Sequence, residues 1–456
     1  MDNATLLRDL FITFLPILLY FNISDFERDY KHWCISQGTK TRRLKKRIPW
    51  SIVNERISDK QFRRMFRMTR QCFSELCQFI ISKVGEKQFK SESYINAFLV
   101  NKDSMFIANE KTTGGYISGE TKLGITLRLL AGGDSLDLGV IFDISPKWCN
   151  EIMYYVLSYW IISTNIGHID IYRYLQDEIA MKKVSDGFAK RSNGIFIGTI
   201  GAIDGWLVRI IRPSFWRDGI KNITAFYSRK GFYALNVHCI VDDKKRVLWL
   251  SYSHKGGSHD SSCFRATKLY QYLKSLAPNL YEKGFYIIGD SAYCIESFIL
   301  TPYDNALSKT SEDNYNFYQS SARITVECSF GEIDLRWGIF WKRLNCSLAH
   351  AAIVIEGSMR IHNYLVDFRE RETSDATLSN DNVIFNEDAS NIGATPVQTG
   401  NDIGRPRGNI SVEYRENRRG GLTLRDELRQ SLEDHGMHRP SRDEWHSNAY
   451  NHTKRH

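Results

Sequence analysis

The sequence predicts a mixed α/β domain that follows an all-helical domain and precedes a polar, largely disordered tail. Three observations predict it. Over 191–365, β-branched and aromatic runs alternate with helical periods, which implies a mixed sheet covered by helices. Over 51–190, apolar residues recur at three- and four-residue steps. Over 366–456, large apolar residues thin out and Asn, Asp, Glu and Arg dominate, so too little surface can be buried to offset ordering entropy.

The 456 residues are 42% hydrophobic, 25% charged and 13% aromatic, which excludes collagen-like, mucin-like and wholly disordered chains. Net charge is +9, compatible with a nucleic-acid partner without proving one. The nine cysteines never form C-x-x-C, which argues against a disulfide framework and a structural zinc site and fits a reducing compartment.

Residues 1–50 hold the longest apolar run, Leu10 to Phe21. It falls short of the ~20 residues a bilayer needs, and Pro16 interrupts it. Asp2 and Asp9 flank it and no small-x-small site follows, so a packed element is expected rather than a signal peptide. The segment ends in a basic cluster, Lys40, Arg42, Arg43, Lys45, Lys46 and Arg47. This reads equally as a nuclear-import or phosphate-binding patch and as a solvated linker before Pro49.

In the helical domain, Phe62, Met65, Phe66, Phe73, Leu76, Cys77 and Ile80 share a helix face, a core pattern. A second stretch gives a helix through Leu130, a Gly132-Gly133 break and a short helix to Phe142 capped by Asp134 or Ser135. A further helix follows with Ser145 as N-cap and Pro146 at its first position. The pair has helix-turn-helix character, but with Lys147 as the second helix's basic residue, packing is the better reading than groove binding.

The α/β domain reads as a strand over 194–204, a hairpin of 232–242 and 246–256 about Asp243-Lys244-Lys245, a helix over 261–276, a strand over 285–290 and a helix over 320–340 capped by Ser320 or Ser321. In the tail, GRPRG at 404–408 resembles an AT-hook core without the preceding arginine, and 424–432 can form a short surface helix.

The chemistry lies in the acids. Asp204 closes one apolar strand and Asp290 another; Glu327 lies on the late helix between Val326 and Phe330. A carboxylate at a buried strand end needs cationic compensation. Magnesium or manganese supplies it, since hard ions take carboxylate and phosphate oxygens, and two such ions can drive phosphodiester chemistry. Plain turns, helix capping and a Glu327–Arg323 pair are the bland alternatives. Asp260, after His259, reads as a further ligand or as part of a helix cap. If the acids are neighbours, at least one has a raised pKa without metal. A phosphoesterase of small molecules would instead need a deep pocket rather than an open basic groove.

GAIDG, YSRKGFYALNV, GSHDSSCFRATKLY, IIGDSAYCIESFILTPY and SSARITVECSFGEIDLRWGIFWKRL, in that order, resemble the transposases of PIF/Harbinger DNA transposons, the DDE superfamily endonucleases. FRRMFRMTRQCFSEL and ITLRLLAGGDSLDLGVIFDIS resemble the helical region ahead of that nuclease, and RIHNYL at 360–365 resembles its end. The resemblance implies a ribonuclease H-like fold, with Asp204, Asp290 and Glu327 as the catalytic triad and Asp260 as an additional metal-binding acid. It implies Mg2+- or Mn2+-dependent cutting of double-stranded DNA at transposon terminal repeats and joining to a target site, in the nucleus. The partners it implies are a separate Myb-like DNA-binding protein and further copies of the chain. A domesticated descendant that binds DNA or protein without cutting is the alternative. Many members carry Thr-His after the first Asp-Gly, where this chain has Trp206-Leu207.

Arg209, Arg212, Arg217, Lys221, Arg229 and Lys230 lie between the first two strands and are expected to face DNA phosphates. Trp206, Phe215, Trp216 and Tyr227 are candidates to stack on unpaired bases.

Overall fold

The structure, a computed structural model, describes residues 48–85, 117–192, 194–376 and 412–440. The basic cluster ending at Arg47, the Leu10–Phe21 run and GRPRG lie outside the described residues.

Helices α1 (Trp50–Arg56), α2 (Asp59–Phe66) and α3 (Arg70–Val84) open the described chain. Ser58 and Gln61 form a reciprocal capping box on α2, satisfying backbone donors that would otherwise be bare. The expected apolar positions are buried, Met65 only half so, but they lie on two helices and not on one, because Arg67 turns left-handed and Thr69 caps α3, with Trp50 stacked on Phe73 at 4.9 Å between ring centres.

Next come α4 (Gly119–Leu130), α5 (Ser135–Phe142) and α6 (Pro146–Tyr155). Asp134 caps α5, and Ser145 caps α6 with Pro146 at its first position, as the sequence predicts. α6 buries Cys149, Ile152 and Met153, the packing role expected of it. A π-helical turn, Val156–Ile162, and the helices α7 (Ile171–Tyr174) and α8 (Glu178–Arg191) complete this half.

The sheet has five strands in the order β3-β2-β1-β4-β5. β1 (Thr199–Arg209) pairs antiparallel with β2 (Ala234–Val241), which pairs antiparallel with β3 (Val247–Lys255). β4 (Tyr286–Ile288) and β5 (Ile299–Leu300) run parallel to β1 on its other side. Short helices α9 (Phe215–Asp218) and α10 (Asp260–Arg265) lie in the connections, and α11 (Lys268–Glu282) covers one face. α12 (Ser311–Arg336) and α13 (Leu348–Ala376) cover the other, and α14 (Val412–Asp434) follows.

Several boundaries differ from the sequence reading. The first strand starts at Thr199 and runs on to Arg209, so Asp204 sits mid-strand rather than at its end. Eight consecutive cross-strand pairs from Ala202 to Arg209 with β2 outweigh the turn propensity of Asp204-Gly205. The 261–276 helix is two helices, because Thr267 caps a new one by accepting from the Tyr270 amide. The late helix starts at Ser311, capped by Thr310, and not at Ser320 or Ser321.

One core unites the helical half with a sheet face: Phe62, Leu127 and Trp160 belong to the same buried cluster as Val208, Val237 and Trp337. α13 links the halves with polar contacts too. Its Arg360 donates to Asn165 Oδ1 at 2.6 Å and pairs with Glu356. Asn363 Nδ2 is shared between the carbonyls of Gly167 and Val247, 2.8 Å each.

The polar tail needs correction where it is described. α13 runs past 366 to Ala376, and α14 is a 23-residue helix docked on α12 and β5. Leucines four apart, Leu424, Leu428 and Leu432, give it a narrow apolar seam that the low overall apolar content conceals. Gly421 lets it approach: a Cβ there would stand 2.5 Å from the Glu296 carbonyl oxygen. Arg425 lies over the Tyr303 ring at 3.8 Å, and Arg439 pairs with Asp313 at 2.8 Å. Leu432 is fully buried, so Leu432→Ala should destabilise the docked state by about 2–3 kcal/mol. Amide exchange across 412–434 should then accelerate while the sheet stays protected.

Candidate active site

β1 carries Asp204 in register with Cys239 of β2, and the Cys239 sulfur lies 3.7 Å from that of Met359, so this is the face covered by α12 and α13. Gly205, in register with His238, belongs to the opposite face. A Cβ on Gly205 would stand 3.0 Å from both Asp260 Oδ1 and Asn236 Oδ1, so glycine is what admits Asp260 so close to the strand. Asp290 follows β4 in a turn closed by the Ala292 amide donating to its Oδ1 at 3.0 Å. Gln319 of α12 ties that turn down, donating to the Gly289 carbonyl at 2.8 Å.

Arg323 is the hub. Its Nη1 donates to Asp204 Oδ2 at 3.0 Å, and its Nη2 pairs with Glu327 Oε1 one helical turn away. It also acts on Asp290. Glu327 therefore makes the Arg323 pair that its spacing allows, and it shares that cation with Asp204.

Burial, then the nearby Asp290 carboxylate, pushes Asp204 up to about 7 despite Arg323. Burial raises Asp290 as well, Arg323 opposes it, and Asp260 adds to it. Asp260 goes the other way: burial is outweighed by His238 and Asn236 beside it, and its carboxyl falls below the usual range. Asn236 Nδ2 donates to Asp260 Oδ1 at 2.7 Å, and His238 Nε2 lies 3.4 Å from the same oxygen. The four acids thus form a chain of neighbours, Glu327–Asp204–Asp290–Asp260, with Arg323 and Arg229 as the cations acting on them. The expected raised carboxyl is found at Asp204.

Among the described residues, no three His, Cys, Asp or Glu side chains are gathered tightly enough to hold a metal ion as they stand. Glu327 is the outlying one, 46% exposed and drawn onto Arg323, against 19% for Asp204. The donor chemistry nevertheless fits a hard dication: carboxylate oxygens from four segments, two with raised pKa values, that repel one another without added positive charge.

The six basic residues Arg209, Arg212, Arg217, Lys221, Arg229 and Lys230 are all exposed. Arg229 acts on both Asp260 and Asp290, which puts the 224–231 turn beside the acids. Arg209 lies over the Phe232 ring at 4.4 Å. Buried Asp218 fixes the intervening loop by accepting from the Ser214 and Leu348 amides at 2.9 Å each. Trp216 is 87% exposed and Phe215 and Tyr227 about half, so they remain available to a ligand. Trp206 does not. It packs between Phe330 and Phe340, at 5.7 and 4.9 Å, and is a core residue rather than a stacking candidate.

Sequence reasoning missed the groups around the acids. His238 is fully buried, and its Nδ1 lies 3.0 Å from the Tyr293 hydroxyl, which itself feels Asp204, Asp260 and Asp290. Burial and His238 lower His254 to about 4. Two imidazoles in the apolar strands ALNVHCIV and VLWLSYSHK were the available signal.

Residues 203–363 match the DDE superfamily endonuclease family, a span that starts one residue before Asp204 and encloses all four acids. The curated "Protein ALP1-like" of Arabidopsis thaliana is 22% identical over 355 residues, covering 72% of this chain and 78% of that protein. No solved structure gives a significant match. Residues 203–363, which hold Asp204, Asp290 and Glu327 between the sheet and α12, are thus similar to the DDE superfamily endonucleases.

Proposed function

We propose that this protein is a transposase-type endonuclease that cuts DNA at transposon ends and joins it to target DNA. The observation that carries the proposal is that one guanidinium, Arg323, pairs with both Asp204 and Glu327, 123 residues apart, and acts on Asp290. The strand order, with three antiparallel strands and two parallel ones beyond β1, supports a ribonuclease H-like reading of the sheet.

Asp204, Asp290 and Glu327 would hold Mg2+ or Mn2+, with Asp260 as a further ligand. The bound pair of ions would supply activation of the attacking oxygen and stabilisation of the leaving one. The chain's residues do the rest. Asp204 must lose its proton to serve as a ligand, which its pKa near 7 permits at neutral pH. Arg323 sets the resting positions of Asp204 and Glu327. Arg229 and Lys230 offer phosphate contacts beside the acids, and Arg209, Arg212, Arg217 and Lys221 extend that contact along the β1–β2 connection. Terminal repeats and target site are the DNA partners, a Myb-like protein and further copies of the chain are the protein partners, and the nucleus is the place of action. Among the described residues no helix is long and apolar enough to cross a membrane.

One observation favours a second reading. Arg323 stands between Asp204 and Glu327, so a domesticated, non-cutting DNA- or protein-binding descendant could keep this ion pair as structure. Incubating full-length protein with Mn2+ and duplexes ending in the inverted repeats that flank its coding region separates the two. Metal-dependent nicking supports the nuclease, and tight binding without nicking supports the descendant. Paired Arg229→Ala and Lys230→Ala changes should weaken duplex binding and lower the slope of log K against log salt by about 2. An unchanged slope would remove these residues from the DNA interface.

A further inference from the structure

A second concentration of charge lies where the helical half meets the nuclease half, and the proposed chemistry does not use it. Arg67 follows α2 in a left-handed conformation (φ 61°), Arg128 occupies the last turn of α4, and Arg336 the last turn of α12. All three are half-buried. Arg67 Nε and Arg336 Nη1 are buried with no hydrogen-bond partner. Unmade donors on a buried cation are costly, and native structures rarely keep them without a ligand or ordered water. The carboxylate that acts on Arg336, Glu332, is already held by Lys245 at 2.6 Å and Arg369 at 3.2 Å. Burial and repulsion from Arg128 and Arg64 lower Arg67. Burial and repulsion from Arg369, with Arg67 adding to it, lower Arg336 to about 10. Like charges therefore face one another here, and the local acid is committed elsewhere.

We propose that Arg67, Arg128 and Arg336 form a phosphate-binding site at this junction. Guanidinium forks match phosphate oxygens in pairs, and a phosphate supplies the acceptors that these donors lack. Arg64 is exposed one turn before Arg67 and marks the entrance. The phosphate can come from a DNA backbone or from a free polyphosphate. The site does not depend on the metal chemistry of the acids, so the failure of either leaves the other standing.

The test is thermal unfolding of the full chain in pyrophosphate, with chloride at equal ionic strength as reference. Pyrophosphate should raise the wild-type Tm by several degrees through mass action. Arg336→Met should abolish that rise and also raise the Tm without pyrophosphate, since it removes an uncompensated buried charge. Arg67→Gly, which suits the positive φ, should abolish the rise with no loss of fold. No rise in wild type, or an equal rise in both variants, overturns the proposal. Duplex binding then identifies the source. If Arg336→Met lowers the salt slope by about 1 and pyrophosphate competes with DNA, the phosphate is the backbone's. If the slope is unchanged while pyrophosphate still stabilises, the ligand is a free polyphosphate.

Discussion

Asp204→Asn is expected to cut metal-dependent nicking at least about a thousandfold, roughly 4 kcal/mol of barrier. The change keeps the shape of the side chain and can keep a hydrogen bond with Arg323, but it removes the charge a dication needs. Asp290→Asn and Glu327→Gln should fall as far, because the proposed site uses the three neighbouring acids as one unit, whose effects do not add. Arg229→Ala should instead weaken DNA binding and leave much of the rate at saturating DNA, since the proposed role of Arg229 is a phosphate contact and not an ion ligand. Single-turnover nicking assays separate the two patterns. Nicking by Asp204→Asn at the wild-type rate would remove the acid from the chemistry.

The same substitution should stabilise the metal-free protein. Asp204 titrates near 7 in the folded state, against 3.8 ordinarily, with burial as the main cause and Asp290 the next. The sign follows from linkage. Between about pH 4 and pH 7 the unfolded chain has lost this proton and the folded chain still binds it, so stability falls as pH rises through that window. The loss is roughly 4 kcal/mol, and Asp290, shifted the same way, adds to it. Metal-free wild type should therefore have a lower Tm at pH 8 than at pH 5, and Asp204→Asn should flatten that dependence. Saturating Mn2+ should restore about 2.7 kcal/mol at a hundred times Kd in wild type and little in the variant. Calorimetry at the two pH values reads all of this. A wild-type Tm independent of pH and metal would mean that Asp204 is not held under strain.

Stored destabilisation of this kind explains which parts of the site could be read from sequence. Carboxylates inside apolar runs break the local pattern, and that break located Asp204 and Asp290 without coordinates. Alternation and turn residues likewise gave the β2–β3 hairpin, and cap chemistry gave α5 and α6. What stayed hidden depends on contacts distant in sequence. Asp204 looked terminal because Gly205 follows it, yet pairing with β2 carries the strand on to Arg209. Trp206 looked free to stack because no local feature names Phe330 and Phe340 as its neighbours. Arg323 could be paired with Glu327 from its spacing, but its bond to Asp204, 119 residues away, could not. Of α14 only a short surface helix over 424–432 is legible; its full length and its docking are not, because its leucine seam is one residue wide and its partner surface lies more than a hundred residues earlier.

Counting bound Mn2+ by electron paramagnetic resonance addresses the shared acids most directly. Wild-type protein at pH 8 should bind two ions per chain, close enough for their signals to broaden each other, and Asp204→Asn or Glu327→Gln should lose at least one with the fold intact. Wild type that binds no Mn2+ at millimolar concentration, or binds it equally well in both variants, would contradict a metal site built from Asp204, Asp290 and Glu327.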